Sequence, residues 1–144
     1  METTTMGRVL TEATIENLQD LWDVRRGMLS ADAVRRVIVP DALVDTGATM
    51  LSLPTRLIQQ LGLTKVMSRN VMSSLGQGNA GVYEAVRLTI QGRFCNVDVM
   101  EVPDDVPPLV GQVPLELLDF VVDPCNQKLM GNPAHGGEHI LEAY

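Results

Sequence analysis

The chain has 144 residues, of which 45% are hydrophobic and only 3% aromatic, so we expect one domain with an aliphatic core. A formal net charge of −7 argues against nucleic acid and anionic membranes as partners. No apolar run approaches the roughly 18 residues that span a bilayer, residues 1–5 lack the features of a secretion signal, and two cysteines are too few for a disulfide framework, so we expect a cytoplasmic protein.

The first half of the chain predicts strands, one loop and one short helix. Residues 18–33 show no clear apolar period and are interpreted as a loop or a hairpin end. Pro54 and Gly62 suit the two ends of a helix over 54–61. The predicted strands, in which apolar residues recur at every second position, cover residues 7–17, 34–44 and 49–53.

The second half of the chain predicts hairpins on either side of a glycine-rich segment. Residues 73–81 contain three glycines and predict a mobile hairpin tip. Residues 114–118 fit a single helical turn, and the composition becomes loose from Gly131 onwards. The predicted strands in this half cover residues 65–73, 82–90, 93–102, 120–122 and 127–130.

Asp45 lies directly after the apolar residues 42–44 and before Thr46, Gly47 and Ala48. A lone charge is costly to bury there, so Asp45 needs a structural partner or a chemical role. Two carboxyls about 3 Å apart share one proton and can divide the roles of base and acid in activating water. Gly47 allows close approach to the carboxylate, Thr46 can hydrogen-bond across an interface, and Ala48 is small enough to pack beneath the turn. The structural alternative is an Asx turn made by Asp45.

Residues 43–48, with the sequence LVDTGA, resemble the active-site turn of retropepsin-like aspartic proteases, the family of retroviral proteases and their bacterial and eukaryotic relatives. Three further segments carry the resemblance, which extends over about residues 7–130. The first is Leu53-Pro54 with Leu61-Gly62-Leu63, which is similar to the bacterial branch of the family. The second is the glycine-rich hairpin near 76–81, which lies in the place of the family's flap. The third is Leu109-Val110-Gly111 followed by Leu115-Glu116, which resembles the apolar-apolar-Gly element under the active site.

The resemblance implies an all-β fold, a closed acid-protease barrel with one or two short helices. It implies a single domain over residues 1–144, with the core over about 7–130 and a loose tail or interface segment over 131–144. Because Asp-Thr-Gly occurs once in the chain, each chain would supply half a site, and two chains would meet about a two-fold axis as a homodimer.

The resemblance also implies an aspartic endopeptidase, which would cleave an extended peptide or protein with water activated by Asp45 and its counterpart in the second chain. Retroviral members have a dimer-bracing Arg where this chain has Gln112, and this departure leaves open a catalytically silent module for dimerisation or peptide binding. The implied site residues are Asp45 as the catalytic residue, Thr46, Gly47 and Ala48 as support for the turn, Leu75, Gly76, Gln77 and Gly78 in the flap, and Val110 and Gly111 under the site.

No metal or cofactor is expected. His135 and His139 lie four residues apart with Glu138 between them, a spacing that can bind zinc on a helix. Gly136 and Gly137 disfavour a helix, and the order differs from the His-Glu-x-x-His motif. Both histidines are therefore interpreted as solvated residues of the tail.

Overall fold

The computed structural model describes residues 8–73 and 76–143, and most of the regular structure in this part of the chain is β-sheet. The strands are β1 (Val9–Asn17), β2 (Arg36–Val44), β3 (Leu51–Pro54), β4 (Lys65–Ser73), β5 (Gly76–Ile90), β6 (Arg93–Val102), β7 (Leu109–Val110), β8 (Phe120–Asp123) and β9 (Lys128–Gly131). The helices are α1 (Leu18–Arg25), α2 (Thr55–Leu61) and α3 (Gln112–Leu118), with 3₁₀ turns at Ala31–Ala33 and Pro133–His135. No helix within these residues is long and apolar enough to cross a membrane.

Seven strands form one sheet in the order β1-β2-β7-β3-β6-β5-β4, and β1 also pairs with β5. The strands β8 and β9 form a separate two-stranded sheet. The core is aliphatic, and its fully buried side chains include Ile15, Leu53, Leu88, Val99 and Leu118. The predicted all-β class is confirmed as a mostly β structure with few helices.

The predicted strands agree with the structure to within two residues at each end, except around the glycine-rich segment, and the two-residue strand β7 was not predicted. The hairpin tip predicted over 73–81 was wrong in its extent, because β5 begins at Gly76 and its residues up to Gly81 pair one by one with β4, and residues 74 and 75 of this segment lie outside the described residues. Main-chain pairing needs no side chain, so the glycines remain in the strand despite their low β propensity. The helix predicted over 54–61 is α2, and Gly62 ends it with a left-handed φ of 65°.

The prediction of a loop over 18–33 was also wrong, because this segment begins with α1. Asn17, which is 1% exposed, caps the helix by accepting a hydrogen bond from the Asp20 N–H at 3.0 Å, and its amide donates to the Leu61 carbonyl at 2.8 Å. The Arg35 guanidinium donates to both carboxylate oxygens of Asp20, at 2.9 and 3.0 Å, and thereby lowers the pKa of Asp20. Polar contacts with distant residues, and not an apolar stripe, therefore hold α1 in place.

The short strand β7 is inserted between β2 and β3. It runs parallel to β2 and antiparallel to β3, with Val110 opposite Leu51. The next residue, Gly111, is buried, and its N–H donates to the Met50 carbonyl at 3.1 Å. A Cβ on Gly111 would lie 2.5 Å from that oxygen and 2.7 Å from the Ala48 carbonyl oxygen. The chain can follow this path only because residue 111 is glycine.

The residues after β9 fold back onto the end of α3, so the interpretation as a solvated residue was wrong for His135, whose side chain is 17% exposed, whereas His139 is exposed. The Asp119 carboxylate accepts hydrogen bonds from His135 Nδ1 at 2.6 Å, the Asn132 amide at 3.2 Å and the Ile140 N–H at 3.1 Å. His139 Nε2 lies 2.8 Å from a carbonyl oxygen of α3. Burial alone would raise the pKa of Asp119, but these hydrogen bonds outweigh it and lower the pKa to about 2.

The steric argument at Gly111 gives a prediction about stability. In Gly111→Ala the new Cβ would meet the carbonyl groups of Ala48 and Met50, and we expect the free energy of unfolding to fall by about 3 kcal/mol in chemical denaturation. Gly78→Ala is the matched control, because nothing lies within 4 Å of a Cβ there. It should change the free energy of unfolding by less than about 0.5 kcal/mol. Equal losses in the two variants would contradict the steric argument.

The hydrogen bonds to Asp119 predict a pH dependence of stability. The pKa of about 2 in the folded state lies below the ordinary value of 3.8, so the unfolded chain binds this proton more readily. The contribution of the Asp119 carboxylate to the free energy of unfolding is therefore complete above about pH 4, and it is lost as the pH falls towards about 2. Denaturation midpoints over this range should therefore fall more steeply in the wild type than in Asp119→Asn. The control is Asp105→Asn, which removes an exposed loop carboxylate and should show the same fall of the denaturation midpoint with pH as the wild type. If the midpoint of Asp119→Asn also falls as steeply as that of the wild type, the prediction is contradicted.

Candidate active site

Asp45 is the first residue after β2, where the chain turns away from the sheet. Its N–H donates to the Val110 carbonyl at 3.0 Å, and the Ala48 N–H closes the turn on the Asp45 carbonyl at 3.1 Å. The Asp45 side chain is half-buried, and its Oδ1 accepts a hydrogen bond from the Gly47 N–H at 2.9 Å. One main-chain amide, that of Gly47, therefore orients one carboxylate oxygen of Asp45, and the other two hydrogen bonds hold the backbone of the turn.

The contact with Gly47 is the Asx turn that was considered as the structural alternative, but it engages only Oδ1. Within the described residues, no hydrogen-bond donor reaches Oδ2 of Asp45. A Cβ on Gly47 would lie 3.2 Å from Oδ1, so a side chain would crowd the carboxylate. Thr46 and Gly47 are exposed and Ala48 is half-buried, which leaves the outer side of the turn open in a single chain. In the described part of the chain, Oδ2 is therefore without a hydrogen-bond donor and lies beside an exposed turn.

A second segment holds the turn from the opposite side. The Gln112 N–H donates to the Ala48 carbonyl at 2.8 Å, and the Val113 N–H donates to the Thr49 carbonyl at 2.9 Å. The first amides of a helix have no partner inside it, and those of α3 find their partners in the turn. The sequence predicted a supporting role for Gly111 but missed these two amides, because main-chain groups leave no signal in residue type. Only the start of a helix directly after Gly111 could have indicated them.

The β4–β5 hairpin is the segment predicted to be the flap. Its outer part pairs only with itself, because β5 joins β6 only from Val82 onwards. Nearly all of β4 is exposed, so the hairpin stands clear of the core. The predicted flap residues are Gly76, Gln77 and Gly78, which are all exposed, and Leu75, which lies outside the described residues.

The cysteine and histidine side chains do not form an alternative catalytic or metal site in the described part of the chain. Burial raises the pKa of the Cys95 thiol to about 11, so it stays protonated at neutral pH and is a poor nucleophile. His135 and His139, considered above as zinc ligands, direct ring nitrogens at Asp119 and at the Leu117 carbonyl. Among residues 8–73 and 76–143, no group of three His, Cys, Asp or Glu side chains is arranged to hold a metal ion.

Comparison with known proteins agrees with the arrangement around Asp45. A sequence search of curated proteins finds no match. The family model described as aspartyl protease matches residues 35–131, which is more than half of the chain. The matched span includes the Asp45 turn, the β4–β5 hairpin and Gly111, and it confirms the resemblance drawn from the sequence. The chain therefore belongs to the aspartyl protease family, as a retropepsin-like member.

Proposed function

We propose that this protein is an aspartic endopeptidase that works as a two-fold homodimer. Membership of the aspartyl protease family supports peptidase chemistry. The observation that carries the proposal is the Asp45 carboxylate, which is oriented through one oxygen by the Gly47 N–H and is open at the other. Because the chain has one Asp-Thr-Gly, a second chain has to supply the partner carboxyl.

In the proposed dyad, Asp45 and the Asp45 of the second chain lie face to face and share one proton, as is usual in aspartic proteases. The Gly47 N–H orients Oδ1 of the carboxylate. The charged carboxylate removes a proton from the attacking water, and the protonated carboxyl gives its proton to the carbonyl oxygen of the scissile bond. Collapse of the tetrahedral intermediate transfers a proton to the leaving amine and restores the dyad.

The surface around the turn supports a dimer with this geometry. Thr46 and Gly47 are exposed, and an isologous contact needs such a patch, since the same residues meet on both chains. The pairing of β1 with β5 supports the closed barrel. The Gln112 side chain donates to Glu116 of its own helix at 3.0 Å, so the dimer bracing in this proposal differs from that of retroviral members.

The proposed substrate is an extended peptide or an extended segment of a protein. It would lie between the dyad and the β4–β5 hairpin, where main-chain hydrogen bonds bind it as an added strand. The residues proposed to contact it are Leu75, Gly76, Gln77 and Gly78. The cytoplasm is the proposed compartment, because both cysteines are free.

Removal of one carboxylate tests the proposal. Asp45→Asn keeps the size of the side chain but can neither take the proton from water nor share one with its counterpart. We expect the rate of peptide-library cleavage, measured between acidic and neutral pH, to fall by at least about a hundredfold. Asp41→Asn, an exposed carboxylate of the same strand, is the matched control and should cleave like the wild type.

Cleavage by Asp45→Asn at the wild-type rate would contradict the mechanism. A wild-type protein that binds an extended peptide tightly and never cleaves it would instead favour the alternative, a catalytically silent module for dimerisation or peptide binding. In the active enzyme, the rate should fall once the pH is high enough to remove the shared proton.

A further inference from the structure

We propose that Tyr83 and Glu101 are positioning residues that fix the angle of the β4–β5 hairpin against the rest of the sheet. Together with Thr55 they form a hydrogen-bonded group at the base of the hairpin, which we call the hairpin lock. The inference rests on the proposed peptidase function where it assigns the hairpin to substrate binding.

The hairpin lock lies where β5 leaves the sheet. Residues 76–81 of β5 pair with β4 alone. From Val82, which lies opposite Met100, β5 pairs with β6 as well. The Tyr83 hydroxyl donates to Glu101 Oε1 at 3.1 Å, and Glu101 Oε2 accepts a hydrogen bond from the Thr55 hydroxyl at 2.6 Å. One carboxylate of β6 thus links the hairpin to the first residue of α2.

The backbone on either side of Tyr83 is irregular. An additional residue of β4, Val66, lies between the residues that face Tyr83 and Val82. Two residues of β5, Glu84 and Ala85, face a single residue of β6. Bulges of this kind interrupt the ladder and bend the strand, so the two together mark a hinge. Because the ladder is interrupted there, we infer that the side chains of the hairpin lock add a restraint to the main-chain bonds that remain, one of which joins the Glu84 N–H to the Thr64 carbonyl at 3.0 Å.

Gly81 of the hairpin packs closely against the hairpin lock. A Cβ on Gly81 would lie 3.1 Å from the Tyr83 ring and 3.2 Å from Glu101 Oε1. Burial and the hydrogen bond to Glu101 raise the pKa of Tyr83, so its hydroxyl stays protonated and remains a donor at neutral pH. A movement of the hairpin at Gly81 therefore has to disturb the contact between Tyr83 and Glu101.

The hairpin lock also connects the hairpin to the turn that carries Asp45. Glu101 faces Leu53 in the ladder between β3 and β6, and Thr55 begins the helix that follows β3. The same β3 is the strand that leaves the Asp45 turn, and it pairs with β7. The base of the hairpin and the carboxylate of Asp45 are thus both fixed relative to β3. A group in this place can set their separation without touching the substrate.

Hydrogen exchange tests the hairpin lock without relying on catalysis. Tyr83→Phe keeps the ring and removes only the hydroxyl. We expect the paired amides of residues 67–73 and 76–81 to exchange roughly tenfold faster in this variant, with residues 86–97 unchanged. Thr11→Val, which removes a hydroxyl on β1, is the control and should leave hairpin exchange at the wild-type rate. Equal hairpin exchange in Tyr83→Phe and the wild type would overturn the proposal.

Kinetics on a cleavable peptide separates positioning from general stability. Tyr83→Phe should raise KM about fivefold with a smaller change in kcat. Glu101→Gln should stay near the wild type, because its amide can accept from Tyr83 and donate to Thr55, whereas Glu101→Leu should resemble Tyr83→Phe. An unchanged KM in Tyr83→Phe and Glu101→Leu would overturn the positioning role. If the wild type cleaves no peptide, the proposed peptidase function fails, while the exchange experiment still decides whether the lock restrains the hairpin.

Discussion

The close backbone approach of Gly111 to the turn after β2 is the constraint on which the rest of the structure depends. It allows β7 to lie between β2 and β3, and it places the first amides of α3 against the carbonyl groups of Ala48 and Thr49. The backbone of the Asp45 turn is therefore held by main-chain hydrogen bonds, and within it the Gly47 N–H orients one oxygen of the Asp45 carboxylate. A reacting group held within a narrow range of geometry needs such support.

The turn and the β4–β5 hairpin differ in how firmly they are held. The turn is tied to Val110 of β7 and to the first amides of α3, whereas the outer hairpin pairs only with itself and exposes most of β4. This division suits a site that keeps its carboxylate fixed while a peptide enters beneath a cover. The contact between Tyr83 and Glu101 lies between the firmly held sheet and the outer hairpin, where the pairing of β5 with β4 and with β6 is interrupted.

The sequence predicted most of the strands and the Asp45 turn because their signals are local: apolar alternation for the strands, and residue types at fixed positions for the turn. The sequence-based prediction failed where a local structure depends on contacts with residues far away in the sequence. The place of α1 depends on Asn17 bonding to Leu61, which is 44 residues away, and on Asp20 bonding to Arg35. Similarly, the sequence predicted His135 as a solvated tail residue, because its contact with Asp119 forms only in the folded chain. Glycines predicted a loose tip over 73–81, but main-chain pairing kept them in β5.

The activity of mixed dimers tests most directly the central claim, that Asp45 is half of a shared site. Wild-type and Asp45→Asn chains are unfolded together, refolded at varied ratios and assayed for peptide cleavage at constant total chain concentration. If one site needs a carboxylate from each chain, the rate falls as the square of the wild-type fraction, and an equal mixture retains about a quarter of the activity. A rate that falls in simple proportion, to about a half in the equal mixture, would contradict the account, because each chain would then hold a complete site.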